Sequence, residues 1–447
     1  MNYIHTFDTK AEQIAYYNGP DYKEPCLSYE RETKTVNFNE KNDYSKAYLT
    51  FEALENCKIE FVSPEQDLGN LYFSTDEGTT WTNYLELMDG IQISTGDKVM
   101  LKGELEPSIG IGNFTSTGGF NAMGNPCSLI YGDGFATATT LPAMALAGLF
   151  AGNTSLISTE NLSLPVKTLS QGSYMGMFAS CSSLENAPKL PATTLGEACY
   201  QSMFRDCISL TVAPSLPATT LASGCYEGMF NGCASLTTPP SILPATTLAS
   251  GCYYQMFDGC TSLASAPSLP AMSVEYRCYG LMFSDCSSLT EAPELPATSL
   301  ASYCYDAMFS GCTSLTVAPE LPATTLSSHC YEGMFDGCTG LTTAPDLPAT
   351  TLVDTCYDMM FYNCTSLTTA PELKAQTLVD DCYNRMFNGC SSLNYIKMLA
   401  TGISAPRCLE EWVSGVAASG TFVKDSSMTT LPSGTSGIPT GWTVQDA

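Results

Sequence analysis

The residues best able to do chemistry in this 447-residue chain are its 21 cysteines, and their spacing argues against most of the chemistry they could do. Eighteen of them form two columns, Cys181 to Cys390 and Cys199 to Cys408, each advancing by 26 or 27 residues. Nine thiols in a column cannot pair completely within it. A metal set needs ligands that converge on one point, whereas these columns supply one per repeat, and His5 and His329 are the only histidines. The pattern reads as a ladder of reduced thiols, each filling a core slot as a small apolar group, ahead of disulfides or a metal site.

A second column is acidic. Glu294, Glu320, Asp346 and Glu372 each follow an Ala-Pro pair at the same register. Carboxylates stacked at strand spacing repel one another unless water or cations separate them. The column is read first as a solvated face and second as a ligand surface assisted by calcium, and its four residues are the candidate ligand-binding positions. The tyrosine column from Tyr200 to Tyr383 is read as packing in preference to a sugar-stacking strip.

No phosphate-binding Gly-x-x-x-x-Gly-Lys loop, His-Glu-x-x-His helix or Gly-x-Ser-x-Gly elbow occurs. An active site is a unique constellation, and the polar groups here recur from repeat to repeat, so no catalytic residue, cofactor or metal is assigned and the chain is read as non-enzymatic. The phrase Ser74-Thr-Asp76-Glu-Gly78-Thr-Thr80-Trp81 resembles the Asp-box of sialidases and other carbohydrate-related β-propellers. A propeller would show several copies. One copy predicts a structural hairpin, with a sialidase-like hydrolase as the least favoured function.

The elements that must position these columns follow from the repeat. Marker phenylalanines run from Phe150 through Phe178, Phe204, Phe230, Phe257, Phe283, Phe309, Phe335 and Phe361 to Phe387, mostly 26 residues apart. Such a period means stacked coils, because a single unit cannot bury its apolar side without a neighbour. Within a coil, Leu300, Cys304 and Met308 stand four apart, the spacing of one helix face. Ser223, Ser250, Ser302, Ser328, Asp354 or Asp380 stands where a helix N-cap would be, and Gly232, Gly259, Gly311, Gly337 or Gly389 where it would stop. The spacing predicts a helix of about two turns per coil. Opposite it, prolines three apart predict short, interrupted, parallel strands. Strands stack at about 4.8 Å and helices at about 8 to 10 Å, so the array is expected to curve, and the wider helix spacing is expected to hold the Cys199 to Cys408 column out of disulfide range.

The run Met-Phe-x-Gly-Cys-x-Ser-Leu-Thr, continued by Ala-Pro-x-Leu-Pro-Ala-Thr-Thr-Leu, resembles the BspA-like leucine-rich repeats of gut bacterial surface proteins and their bacteriophages. The 26-residue coil is longer than that family's 23-residue forms. The resemblance covers roughly residues 140 to 412 and implies adhesion or recognition. The fold expected is an α/β repeat solenoid, right-handed and of about ten coils.

Four segments are expected: a small docking unit at 1–45, a β-sandwich-like module and cap at 46–139, the repeat solenoid at 140–412, and a C-terminal cap and tail at 413–447. In the first, Asp8 and Thr9 are expected to cap a short helix through Ile14, and Tyr22 to Tyr29 resembles the opening of structural proteins from gut bacteriophages. In the second, strands are expected near 48–54, 58–62, 71–74, 91–94 and 99–105. At the far end Trp412 and Val413 take the Met and Phe slots, with the indole as lid.

A formal net charge of -27 disfavours nucleic acid and anionic membranes as partners. No apolar run approaches the length of a membrane span, and residues 1–12 have neither the basic start nor the apolar core of a secretory signal. The function expected is a non-enzymatic virion-associated attachment protein, of fibre (tail or head) or decoration type, held to other virion structural proteins by its N-terminal unit and binding a host cell-surface glycan or protein. The alternative is a bacterial surface or secreted adhesin. No heptads or collagen-like triplets mark a trimer, and the sequence leaves a homo-oligomer open.

Overall fold

Apolar residues that return every fourth position can be served by an α-helix or by a run of four-residue turns, and in the computed structural model this chain takes the second. Around Phe230, the amides of Gly224, Tyr226, Gly228, Phe230 and Gly232 donate to the carbonyls of Ser250, Cys252, Tyr254, Met256 and Asp258 in the next coil, at 2.7 to 3.0 Å. The amides between them, from Cys225, Glu227, Met229, Asn231 and Cys233, donate three residues back, at 3.0 to 3.3 Å. Each amide from 224 to 233 is thus used, alternately within the coil and between coils, as buried backbone requires.

Every second turn carries a left-handed residue at its third position, as a type II turn does. At Gly224, Gly228 and Gly232 φ is 58°, 57° and 73°. The same three slots are filled by Arg277, Leu281 and Asp285 in one coil and by Thr355, Met359 and Asn363 in another, all with φ between 53° and 61°. The expected helices are therefore corrected to a turn ladder, and the α/β class to a strand- and turn-rich repeat fold. Spacing of four is common to both solutions. The signal against a helix was glycine at every fourth residue, since each costs a helix interior about 1 kcal/mol. Two of the expected caps act between coils instead: the Ser223 hydroxyl donates to the Ser250 carbonyl at 3.1 Å, and the Ser328 hydroxyl to that of Asp354 at 3.2 Å. With no helix layer wider than the strand layer, the premise for curvature is also gone.

The structure describes 5–7, 27–30, 35–38 and 43–447, apart from 64–67, 88 and 108–109. Two compact units result, Met1–Tyr44 and Ser45–Ala447. In the first, β1 (His5–Phe7) pairs parallel with β2 (Leu27–Glu30), and β2 antiparallel with β3 (Thr35–Phe38). The helix expected from Asp8 to Ile14 lies outside the described residues.

The second unit opens with two sheets. Strands β4 (Leu49–Ala53), β5 (Cys57–Val62), β6 (Leu71–Ser74), β7 (Thr82–Asn83), β8 (Ile91–Ile93), β9 (Lys98–Gly103), β10 (Asn113–Ser116), β11 (Phe120–Met123) and β12 (Leu156–Ser158) form a sheet β10-β5-β8 and a sheet β12-β11-β4-β9-β6-β7. One helical turn, α1 (Ser128–Tyr131), follows β11. Alternation of buried and open positions in β5 puts Cys57, Ile59 and Phe61 inward. Phe51 of one sheet meets Phe114 of the other edge to face at 4.9 Å, which joins the two cores.

Phe114 also starts the repeat. Its amide donates to the Leu149 carbonyl just as Phe150 donates to Met177, and its ring lies 5.9 Å from Phe150. From Phe150 to Phe387 the rings then stack coil upon coil at 5.4 to 5.8 Å. A parallel row runs from Tyr174 to Tyr383 at 5.7 to 6.1 Å. On the proline side, coils meet at isolated parallel bridges such as Thr168 with Thr194, Val212 with Thr238 and Val317 with Thr343. At the far end β13 (Tyr395–Met398), β14 (Thr421–Lys424) and β15 (Thr443–Asp446) form a parallel sheet. Trp412 does occupy the Met slot, its carbonyl accepting from Phe387, but it is buried under the tail, and its indole donates to the Gly437 carbonyl at 2.9 Å. The tail, rather than the indole, covers the last coil.

Candidate functional site

The acidic column lies on the proline side of the array. Glu294, Glu320 and Asp346 are exposed and Glu372 is half-buried. Between two consecutive Ala-Pro-acid-Leu-Pro runs is a shallow groove of about 450 Å³, with Glu320 and Asp346 on its lining beside Pro319, Pro322, Pro345 and Pro348. The prolines make this face stiff and take their own amides out of the ladder, while Ala318 still donates to Thr343 in the next coil at 3.2 Å.

Lysines divide the column in two. Lys374 stands where the coils before it carry Pro348 and Pro322, and its ammonium reaches Asp346 at 2.7 and 2.8 Å. Lys397, on β13, reaches Glu372 at 2.8 Å. The repulsion expected within the column is thus relieved by protein cations at Asp346 and Glu372. Glu294 and Glu320 have no such partner among the described residues and present bare carboxylates. These pairs are solvent-accessible, so each adds at most about 1 kcal/mol. Among the described residues no three His, Cys, Asp or Glu side chains converge as a metal site would need.

The tyrosine column is core. Tyr200 to Tyr383 are at most 2 % exposed, so none offers a ring to a sugar. The described cysteines are unpaired and buried. Helix spacing does not hold the Cys199 to Cys408 column apart as expected, since coils joined by backbone hydrogen bonds sit at ladder spacing, within the Cα range of a disulfide. What occupies the second thiol column is a hydrogen bond: Cys181, Cys207, Cys233, Cys260, Cys286, Cys312, Cys338, Cys364 and Cys390 each donate to the carbonyl of the marker phenylalanine one coil back, at 3.0 to 3.1 Å. In the first coil Asn153 does the same to Phe114 at 2.9 Å.

Sequence reasoning missed a patch on the turn-ladder side. Arg277, Tyr303 and His329 share one column in successive coils. The Arg277 guanidinium lies 5.1 Å from the Tyr303 ring centre, 5.4 Å from Tyr276 and 5.7 Å from Tyr254. The Tyr303 ring stacks on His329 at 4.2 Å, and His329 Nδ1 is 2.7 Å from Glu332. Beside it, burial and the nearby Glu332 carboxylate push Asp306 up to about 6. Arg and Tyr at a partly exposed surface are the types that anchor macromolecular interfaces. The signal in the sequence was a column that turns from Ala and Gly at 198, 224 and 251 to Arg, Tyr and His.

A stack of similar coils with an acidic column on one side and an aromatic patch on the other defines a repeat protein. The family model for the BspA type leucine rich repeat region matches residues 328–405, with 6 copies, so this stretch carries BspA-type leucine-rich repeats. Such repeats point to a protein-interaction or adhesin-like surface. No curated protein matches the chain by sequence.

Proposed function

We propose that this protein is a non-enzymatic recognition protein of a virion, in which the repeat array binds a host cell-surface glycan or protein and residues 1–45 dock on other virion structural proteins. We infer further that residues 140–412 form one solenoid, right-handed by the rule for parallel crossovers. The observation that carries the reading is the array of stacked coils, which includes a stretch of BspA-type repeats at 328–405 and offers neighbouring coils' side chains, such as Glu294 and Glu320, at one register. Weak contacts repeated in this way add when the ligand is itself repetitive. The thiol ladder favours assembly in a reducing compartment, as a phage protein has in its host's cytoplasm, over export through an oxidising one.

The test compares the full chain with two variants, Glu294→Gln with Glu320→Gln, and Tyr276→Ala with Tyr303→Ala, for binding to intact gut bacterial cells and for incorporation into particles. Loss of cell binding in either variant supports the surface assignment. Purified particles that lack the chain, or a chain found on bacterial cells that carry no phage, would favour the bacterial adhesin instead.

A further inference from the structure

We propose that a cavity in the β module, beside the hairpin 74–82 and apart from the repeat surface, binds one neutral sugar residue. The cavity measures about 330 Å³, at the small end of the roughly 300–1,000 Å³ that ligand sites occupy, which suits a single ring. Trp81 and Tyr72 give it aromatic walls, and Asn70, Lys102, Glu104 and Asp133 give it polar ones. Gly132 lines it in the left-handed region, at φ +50°.

The walls are held in place before any ligand arrives. Ser74 Oγ donates to Asp76 Oδ1 at 2.7 Å and accepts from the Gly78 amide at 2.9 Å. Asp76 in turn accepts from the Thr80 amide at 2.8 Å and the Thr80 hydroxyl at 2.7 Å. These bonds hold the Asp76 carboxyl down at about 2, so the hairpin that presents Trp81 is tied across ordinary pH. The Tyr48 ring packs edge-on to Trp81 at 4.9 Å. Lys102 Nζ lies 4.4 Å from the Trp81 ring centre and 2.7 Å from Asp133 Oδ1, which also accepts from the Tyr48 hydroxyl at 2.7 Å. Side chains fixed this way lose little freedom on binding.

Charge selects the ligand class. Two carboxylates against one ammonium, on a chain of net charge -27, disfavour phosphates and acidic sugars. An amine would have to compete with Lys102 for Asp133, which the ammonium already holds at 2.7 Å. A neutral sugar answers both: its hydroxyls donate to Glu104 and Asp133 and accept from Lys102 and Asn70, while its C–H face covers an aromatic ring.

Of the three tryptophans, Trp412 and Trp442 are buried at 0 % and 7 % exposure, so Trp81 is the accessible reporter. The full chain is titrated with the methyl glycosides of glucose, galactose, mannose and N-acetylglucosamine, with phosphate and ethanolamine as controls, following tryptophan fluorescence and saturation-transfer NMR. Saturable responses are expected from at least one glycoside at millimolar Kd, weakened at least about tenfold by Asp133→Asn and by the rim change Asn70→Ala, and absent from both controls. Asn70 is exposed, so its variant keeps the test independent of folding. Silence from every glycoside, a response to phosphate or ethanolamine alone, or a sugar response unchanged in both variants would overturn the proposal. Each readout is separate from cell binding by the array.

Discussion

The thiol of Cys233 donates to the main-chain carbonyl of Phe204, one coil back, at 3.0 Å. The same bond recurs at each later cysteine of the column, through Cys390, and makes this cysteine a between-coil fastener as well as a core filler. Truncation to Cys233→Ala should cost about 1–2 kcal/mol, from the lost bond and the small cavity together, read as a lower denaturant midpoint. An unchanged midpoint would mean that the bond adds nothing.

Substitution in the turn ladder separates it from a helix by sign. Ala307 has φ +49° in the slot that Gly333 fills with φ +54° in the next coil. In a helix Ala307→Gly would cost about 1 kcal/mol, whereas in a left-handed position it relieves strain of similar size. The expected result is a higher thermal midpoint for Ala307→Gly and a lower one for Gly228→Val.

Alkali should unfold the array steeply. Burial pushes the thiols of Cys181, Cys233, Cys312 and Cys390 from 9.0 up to about 12. A raised thiol stays protonated in the folded state while the unfolded chain ionises above about pH 9. Its stabilising effect is therefore complete below pH 9 and lost as pH climbs toward 12. Denaturant midpoints should fall progressively from pH 9 upward, and thiol reagents at pH 8 should label the folded protein slowly and the unfolded protein fully.

Mild acid should do the reverse on the aromatic face. Asp306 and Asp358 are both raised from 3.8 to about 6, chiefly by burial. Their protonated forms suit the folded state, so this contribution is complete below pH 3.8 and lost as pH rises through 6. Midpoints measured at pH 5 should exceed those at pH 7.5, and Asp306→Asn with Asp358→Asn should shrink the difference.

The hydroxyls of Tyr174, Tyr200 and Tyr226 are buried without a partner. An unmet buried hydroxyl opposes folding, while the ring stacking at 5.7 Å between Tyr200 and Tyr226 needs no hydroxyl. Tyr200→Phe should therefore be neutral or stabilising by up to about 1 kcal/mol, in contrast to Tyr200→Ala, where loss of the stacked ring should cost about 3–5 kcal/mol. Thermal midpoints of the two variants decide it.

The sequence by itself determined the stack. A period of 26 residues puts Phe204, Phe230 and their equivalents in one row because only repetition lets a coil of this length bury Tyr, Met, Phe and Cys together. It likewise determined the front strands, because alternation in Leu49–Ala53 and Cys57–Val62 has a period of two that no helix shares. What tertiary structure decided is the path of the chain within each coil. Apolar spacing of four suits a helix and a turn ladder equally in one coil. The second wins once neighbouring coils accept the alternate amides of Gly224 to Gly232, and those bonds join residues 26 apart in the chain. The acidic column shows the same division. Its register was legible, but the lysines that neutralise Asp346 and Glu372 come from the following coil, at distances that stacking alone sets.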